Sequence, residues 1–241
     1  QAAVDAIQKQ ALNGITLMLP TEDAIWVSEE LQRRFGLQYW QYTLTATDAN
    51  RFAIRMARHI TNRPKILVFN YCYHGSVDET FITIDDNLIP ISRQGNLGPP
   101  VDPTITTKVI EFNDIPALEK ALAPRDVAVV LAEPVMTNIG IIHPEPGYHE
   151  KLREITKKTG TYLIIDETHT LCTGIGGYTG KYGLQPDFLT CGKPLASGVP
   201  AGVYGFTQEV ADAFWNLLVL DQSDVGGIGG TLSGNALSIA V

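Results

Sequence analysis

The sequence predicts an α/β fold in which a mixed, mostly parallel β-sheet lies between helices. Short apolar runs alternate with amphipathic segments of helical periodicity along most of the chain. Runs such as "VAVVLAEP" (127–134) and "YLIIDE" (162–167) are continuously apolar, as expected of strands covered on both faces. With 241 residues, of which 44% are hydrophobic and 18% charged, the chain has the composition of a globular protein.

The first 36 residues are predicted to be helical. The segment "VDAIQKQALNG" has helical periodicity and ends at Gly14, a residue type that commonly follows the last helical turn. The segment "TEDAIWVSEELQRRFG" begins at Thr21, has two acidic residues in its first turn and ends at Gly36 behind two arginines, which suits the helix dipole. We therefore divide the chain into a helical N-terminal part, 1–36, and a main body, 37–241.

The main body is predicted to begin with a strand, "YWQYTLTAT", and a helix, "DANRFAIRMARHIT". The stretch from residue 84 to residue 107 is rich in Pro, Gly and Asp, which predicts an excursion over the surface. Further strands are predicted at "KILVFNY" (65–71), "FLTC" (188–191) and "GVYGF" (202–206), and further helices at "DIPALEKALA", "EPGYHEKLREITKKTG" and "TQEVADAFWNLL".

Composition argues against several classes of function. A net charge of −8 offers no basic surface to nucleic acid, and no apolar run approaches the roughly 20 residues that cross a bilayer. The five histidines lack metal-ligand spacing, so no metal is predicted. The three cysteines lack CxxC spacing and predict reduced thiols in a cytoplasmic protein. They are Cys72, Cys172 and Cys191.

Polar residues follow five of the predicted strands. Ligands of open α/β sheets bind outside the carboxyl ends of the strands, where these residues are expected to meet. The sequence therefore predicts a single site at one edge of the sheet. The residues are Thr47, Tyr73 and His74, Glu133, Asp166, and Lys193.

Lys193 and Asp166 carry the chemistry that this site could perform. Lys193 is the only charge in "TCGKPLASG", so we expect its amine to be partly desolvated and able to form a Schiff base with a carbonyl. Asp166 ends an apolar strand, and a buried carboxylate needs a cation, which the protonated pyridine nitrogen of pyridoxal phosphate (PLP) would supply. The simpler alternatives are a surface lysine and a helix-capping or ion-paired aspartate.

The helix that follows "TAT" (45–47) offers a place for a phosphate group. Free backbone N–H groups and the helix dipole favour an anion at a helix N-terminus. A threonine at this position is also a common helix cap, so the pattern alone supports either interpretation.

The segment "IIDETHT", followed by "GLQPDFLTCGKPLASGVPAGVYGF", resembles the class III, PLP-dependent aminotransferases. This family includes members like glutamate-1-semialdehyde aminomutase and members like the β-amino-acid and omega-transaminases. Further similar segments occur in the same order along essentially the whole chain. They are "TATDANRFAIRMAR", "YHG" (73–75), "AEPV" (132–135) and "GGTLSGN" (229–235).

The resemblance implies the fold-type-I architecture, with residues 37–241 as the PLP-binding large domain and residues 1–36 as its helical N-terminal part. Lys193 would bind PLP as a Schiff base and shuttle a proton, and Asp166 would pair with the pyridine nitrogen. Tyr73 and Thr168 would pack on the two faces of the ring.

The remaining implied roles concern the rim of the cofactor and a second subunit. Ala46 and Thr47 would hold the phosphate, and Glu133 and Asn138 would line the hydroxyl edge. Thr231 would reach the cofactor of a partner subunit, which implies a homodimer.

Several residues depart from the family pattern. "TATD" stands where Ser-Gly-Ser/Thr-Glu is usual, Thr168 stands where Val is common, and Met136 replaces a frequent Gln. His169 also departs, and we interpret it as a packed, hydrogen-bonded histidine. Compared with the family, an N-terminal segment and a C-terminal small domain are expected beyond the ends of this sequence.

The resemblance implies an aminotransferase that moves an amino group between an amine or amino acid and a keto acid or aldehyde. Two alternatives stay open. One is an intramolecular aminomutase of the glutamate-semialdehyde type, and the other is a truncated, non-catalytic module that only binds PLP.

Overall fold

The computed structural model describes residues 1–17, 19–218 and 226–241. Seven strands form one sheet in the spatial order β1–β9–β8–β7–β6–β2–β5. Neighbouring strands from β8 to β5 are parallel, whereas β9 runs antiparallel to both β8 and β1. The predicted α/β fold with a mixed, mostly parallel sheet is therefore confirmed. The strands are β1 (Tyr39–Thr43), β2 (Lys65–Phe69), β3 (Ile82–Ile84), β4 (Pro90–Ser92), β5 (Thr107–Ile110), β6 (Val127–Ala132), β7 (Tyr162–Asp166), β8 (Phe188–Cys191) and β9 (Gly202–Phe206).

Six helices of the described residues follow the predicted periodic segments, and two short helices, at 177–182 and 236–240, are additional. The predicted N-terminal helices end at Gly14 and Gly36 as expected. The helices of the described residues are α1 (Ala2–Asn13), α2 (Glu22–Phe35), α3 (Ala46–Thr61), α4 (Ile115–Leu122), α5 (Tyr148–Thr159), α6 (Gly177–Tyr182), α7 (Gln208–Trp215) and α8 (Ala236–Ala240). Among the described residues no helix is long and apolar enough to cross a membrane.

Helices cover the sheet so completely that every residue of β6, β8 and β9 is buried. Helix α3 packs on β1 and on β6 to β9, while α4 packs on β5 and α5 on β7. The prediction that the continuously apolar strands are covered on both faces of the sheet is thus confirmed. Helix α2 joins this core through Leu31, which packs with Leu37 and Trp40. The division of the chain at residue 36 stays a prediction.

Strand β5 is the element of the sheet that the sequence patterns miss. It begins at Thr107, the last residue of the predicted surface excursion, and lies at the edge of the sheet beside β2. Lys108 interrupts the apolar pattern of β5. Its ammonium group donates to Ala121 O and Asp126 Oδ1 at 2.7 and 2.5 Å. The rest of the excursion contains the β3–β4 hairpin and is largely exposed.

Helix α6 is another unpredicted element, and a buried carboxylate places it. Glu167 is fully buried and accepts hydrogen bonds from the backbone N–H groups of Tyr178 and Thr179 at 3.1 and 2.5 Å. Gly177 starts the helix with φ +64°, and a Cβ there would lie 2.8 Å from the Glu167 carboxyl carbon. The glycine-rich segment therefore folds as a helix anchored beside the end of β7.

An ion pair between Arg153 of α5 and Asp187 ties that helix to the start of β8. The pair is bidentate with two N–O distances of 2.7 Å, and Asp187 also accepts from Leu163 N at 2.8 Å. Asp187 is 5% exposed. The Pro-Asp that precedes the strand in the sequence thus fixes how α5, β7 and β8 meet.

We expect Asp187→Ala to lower the free energy of unfolding by about 3–5 kcal/mol, because it leaves the Arg153 guanidinium partly buried without its partner. Urea denaturation at neutral pH measures this change. Glu154→Ala is the matched control, since it breaks the exposed Lys151–Glu154 pair on the same helix and should change stability little. Equal losses in the two variants would contradict the role given to the buried pair.

Candidate active site

The carboxyl ends of the parallel strands enclose a cavity of about 360 Å³. Residues predicted from separate parts of the sequence line this one cavity, as expected for strand ends at the same sheet edge. The predicted residues that line it are Ala46, Thr47, Tyr73, His74, Glu133, Asp166, Thr168 and Lys193.

Asp166, the last residue of β7, lies at the floor of the cavity and is 4% exposed. Its Oδ2 accepts hydrogen bonds from His74 Nδ1 at 2.8 Å and Asn50 Nδ2 at 2.9 Å, and its Oδ1 accepts from Thr168 N at 3.0 Å. Burial by itself would raise the pKa of Asp166, but the hydrogen bond and charge of His74, together with the other two hydrogen bonds, hold that pKa below its ordinary value. The carboxylate therefore stays ionised.

His74 is the cation that Asp166 faces inside the chain. It is 1% exposed. Burial opposes a charge on the imidazole, but Cys72 and the Asp166 carboxylate outweigh this effect and raise the pKa of His74 to about 10. The sequence predicts that buried Asp166 needs a cation, and His74 is that cation within the chain. The sequence pattern identifies His74 only as a polar residue at a strand end.

Asn50 is a site residue that the sequence patterns miss. It lies on α3, is fully buried, and bridges Asp166 to Thr190 of β8 by accepting from Thr190 Oγ1 at 2.6 Å. A signal was available, since Asn50 is a polar residue on the otherwise apolar face of an amphipathic helix. Such a residue needs a buried polar partner.

The N-terminus of α3 forms the far end of the cavity. Thr45 caps the helix by accepting from Asp48 N at 3.1 Å, and the first backbone N–H groups have no partner inside the helix. Gly192 lets the Lys193 loop approach this end closely, because a Cβ at position 192 would lie 2.8 Å from Ala46 Cβ. The combination leaves a place for an anionic group of a ligand.

Lys193 extends over the cavity from the loop behind β8. Its Nζ lies 2.7 Å from His169 Nε2 and 5.7 Å from the ring centroid of Tyr73. The predicted desolvation of Lys193 is not found in this chain, where the residue is exposed. Its backbone has φ +24°, which is uncommon outside glycine and is found at functional sites.

Three buried polar atoms of residues that line the cavity have no hydrogen-bond partner among the described residues. They are His74 Nε2, Glu133 Oε1 and Thr168 Oγ1. Buried polar groups are rarely left unsatisfied, so a polar ligand is the simplest partner for Glu133 Oε1 and Thr168 Oγ1.

Two predicted site residues do not line this cavity. Asn138 is exposed, and its amide donates to Tyr71 O at 3.0 Å. Thr231 lines a second, larger groove of about 970 Å³ between the 16–42 region and "GGTLSGN", together with Trp40 and Tyr42. The roles of both residues stay predictions.

Comparisons with known proteins identify the family. The model of the family described as Aminotransferase class-III matches residues 1–241. The glutamate-1-semialdehyde 2,1-aminomutase of Neisseria meningitidis serogroup A is 33% identical over 243 residues, a match that covers 98% of this chain and 55% of that protein. The chain thus spans about half the length of the curated relatives that it matches.

Solved structures agree with this result. Two structures of a glutamate-1-semialdehyde-aminomutase from Pseudomonas aeruginosa PAO1, one of them in complex with PMP, are 50% and 49% identical to this chain, with TM-scores of 0.96 and 0.94. Each match covers 99% of this chain and 54% of that chain. An omega-transaminase from Sphaerobacter thermophilus is 30% identical with a TM-score of 0.86, over 99% of this chain and 56% of that one. By its sequence, its fold and the residues of its cavity, the chain belongs to the class-III aminotransferase family, whose fold is that of the fold-type-I PLP transferases.

Proposed function

We propose that this chain holds PLP and catalyses amino-group transfer between an amine or amino acid and a keto acid or aldehyde. One observation carries the proposal. The Lys193 amine, the ionised Asp166 carboxylate and the N-terminus of α3 line the same cavity. These are the three groups that the aldehyde, the ring nitrogen and the phosphate of PLP require.

The residues present fit PLP. A cavity of about 360 Å³ lies in the range of small-ligand sites, and it opens beside a helix end that favours an anion. The unpartnered Glu133 Oε1 and Thr168 Oγ1 need polar partners that a cofactor with a phenolic hydroxyl and a pyridine ring would supply.

PLP supplies an electrophilic aldehyde carbon and a pyridinium ring that takes up electron density from the substrate carbon. Lys193 holds the cofactor through Nζ and afterwards moves the proton at the amino-bearing carbon of the substrate. Asp166 keeps a proton on the ring nitrogen, and His74 keeps Asp166 ionised for that purpose.

The other predicted residues position the cofactor. Ala46 and Thr47 bind the phosphate, Tyr73 and Thr168 pack on the two faces of the ring, and Glu133 lines the hydroxyl edge. For Asn138 to line the same edge, its amide would have to leave Tyr71 O, to which it now donates.

An intramolecular aminomutase is the second candidate, and it is favoured by the 50% identity to a protein described as a glutamate-1-semialdehyde-aminomutase. Steady-state turnover separates the two candidates. An aminomutase converts glutamate-1-semialdehyde completely without a separate amino acceptor, whereas a transaminase stops after one equivalent until a keto acid is added.

We also propose a homodimer in which Thr231 reaches the cofactor of the partner subunit. The groove beside Thr231 and the exposed Ile25 and Trp26 nearby on α2, which are 63% and 67% exposed, support an interface on this face. Sedimentation equilibrium tests it, and a monomer at micromolar concentration would contradict it.

A reducing, cytoplasmic location is proposed from the cysteines. Cys72 and Cys191 are buried free thiols, and Cys172 is an exposed free thiol. Thiols of this kind persist where the cell keeps proteins reduced. Fractionation that places the protein in an oxidising compartment would contradict the proposal.

Lys193→Ala should abolish covalent capture of PLP and turnover, because no other described side chain in the cavity carries an amine. Borohydride reduction followed by peptide mass spectrometry measures capture at Lys193. Lys181→Ala, which removes a lysine from nearby α6, should behave as the wild type. Wild-type turnover in Lys193→Ala would end the assignment.

The Asp166–His74 pair should make stability depend on pH in a defined window. The pKa of His74 is raised from about 6.5 to about 10, so its contribution is complete below about pH 6.5 and is lost as the pH rises toward 10. The depressed pKa of Asp166 means that its own contribution is present above about pH 4 and is lost only in stronger acid.

We therefore expect the stability difference between wild type and His74→Gln to be largest near pH 6 and to shrink toward pH 10. Urea denaturation at both pH values measures it, with His59→Gln as the exposed-histidine control. A difference that stays constant or grows with pH would show that His74 is not held charged.

A further inference from the structure

A continuous chain of hydrogen bonds leads from Lys193 to a buried carboxylate. Lys193 Nζ lies 2.7 Å from His169 Nε2, His169 Nδ1 bonds to Thr137 Oγ1, and Thr137 Oγ1 donates to Glu133 Oε2 at 2.5 Å. The members come from three loops, behind β6, β7 and β8. Neither His169 nor Thr137 has a part in the function proposed above.

The hydrogen bond to Glu133 fixes the direction of the other hydrogen bonds in this series. Thr137 Oγ1 donates its single hydroxyl proton to Glu133 Oε2. Thr137 Oγ1 must then accept from His169 Nδ1, which makes Nδ1 the protonated nitrogen of a neutral imidazole. His169 Nε2 is left with a free lone pair, and it is aimed at Lys193 Nζ.

The charged groups around the imidazole suit this arrangement. Glu133 is 4% exposed, and its Oε2 also lies 3.6 Å from His169 Nδ1, whereas the His169 side chain is 32% exposed. Lys193 faces the other side of the ring. Tyr73 lies beneath Lys193, and the Asp166–His74 pair lines the same cavity.

We propose that His169 is a positioning residue that holds Lys193 Nζ and accepts a proton from it; this inference rests on the function proposed above. The N–H bond of the Lys193 ammonium breaks as the Nε2–H bond forms. The Nδ1 proton passes to Thr137 Oγ1, and the Thr137 hydroxyl proton passes to Glu133 Oε2. The net result is a neutral lysine and a neutral glutamic acid, with no atom gained or lost.

The relay supplies an acceptor for the proton that Lys193 must lose before it reacts. An ammonium group cannot attack a carbonyl carbon, so the amine needs a nearby proton acceptor. Imidazole gains and loses a proton between pH 5 and 8 and is the side chain best suited to this task.

The tautomer of His169 gives a test that needs neither cofactor nor activity. Long-range ¹H–¹⁵N correlation of the five histidine rings, assigned with His169→Gln, reports which ring nitrogen carries the proton. The relay requires the Nδ1–H form in the wild type and in Thr137→Ser, which keeps the hydroxyl. Thr137→Val removes the hydroxyl at nearly the same shape and should lose that form. An Nε2–H ring in the wild type overturns the proposal.

The rate of covalent PLP capture at Lys193 tests the proton transfer itself. The His169→Gln side chain can still accept a hydrogen bond from Lys193 but cannot carry a proton onward. We expect capture by His169→Gln to be slower by about 10²-fold at pH 7, the lower range of general acid–base effects, with an unchanged urea midpoint. The capture rate of the variant should also depend less steeply on pH than the wild-type rate, because the variant lacks the imidazole.

The two readouts separate failure of the relay from failure of the proposed function. Capture by His169→Gln at the wild-type rate, with the same pH profile, overturns the relay and leaves the PLP assignment standing. If the wild type captures no PLP, the proposed function fails, and the tautomer of His169 and its response to Thr137→Val then decide whether the relay exists.

Discussion

The buried ion pair between Asp166 and His74 is the interaction on which the site depends. It joins the end of β7 to the loop behind β2, and Asn50 extends it to α3 and β8. Removing one partner of such a pair costs about 3–5 kcal/mol, because the other charge is left buried. The pair and Asn50 therefore hold these four segments together and keep an anion at the floor of the cavity.

The topology of the sheet explains why the chemical groups meet. Strands β7 and β8 are parallel neighbours in which Asp166 pairs with Thr190, so Lys193 emerges only three residues beyond the level of Asp166. Helix α3 starts beside the same loop, and Gly192 allows the contact with Ala46. Residues that are far apart in the sequence thus form one cavity because the parallel strands all end at the same edge.

The sequence predicts the fully buried strands of the sheet well and the partly buried edge strand less well. Continuously apolar runs identify β6, β7, β8 and β9, whereas β5 lies at an edge and contains Lys108, so its pattern is broken. Helix α6 was not predicted because it is rich in glycine, which disfavours helices, and because it is anchored by the buried Glu167 in the preceding loop rather than by an apolar face of its own. Local patterns contain no information about such partners.

In the candidate site, too, some features follow from the sequence and others only from tertiary contacts. Strand-end polarity predicted which residues line the cavity, but not their partners: Asn50, Thr137 and the pairing of His74 follow only from tertiary contacts. The exposure of Lys193 could not be predicted from the sequence either, because a lysine among small residues can be either buried or exposed. The sequence predicts His169 to be packed and hydrogen-bonded; it is hydrogen-bonded but exposed, and its contact with Lys193 follows only from the tertiary structure.

In the proposed function, an ionised Asp166 holds a proton on the pyridine nitrogen of PLP. The ¹⁵N chemical shift of ring-labelled PLP bound to the protein at pH 8 tests this claim most directly. A shift typical of pyridinium in the wild type, and of neutral pyridine in Asp166→Asn, is the predicted result. A neutral pyridine nitrogen in the wild-type complex would contradict the claim.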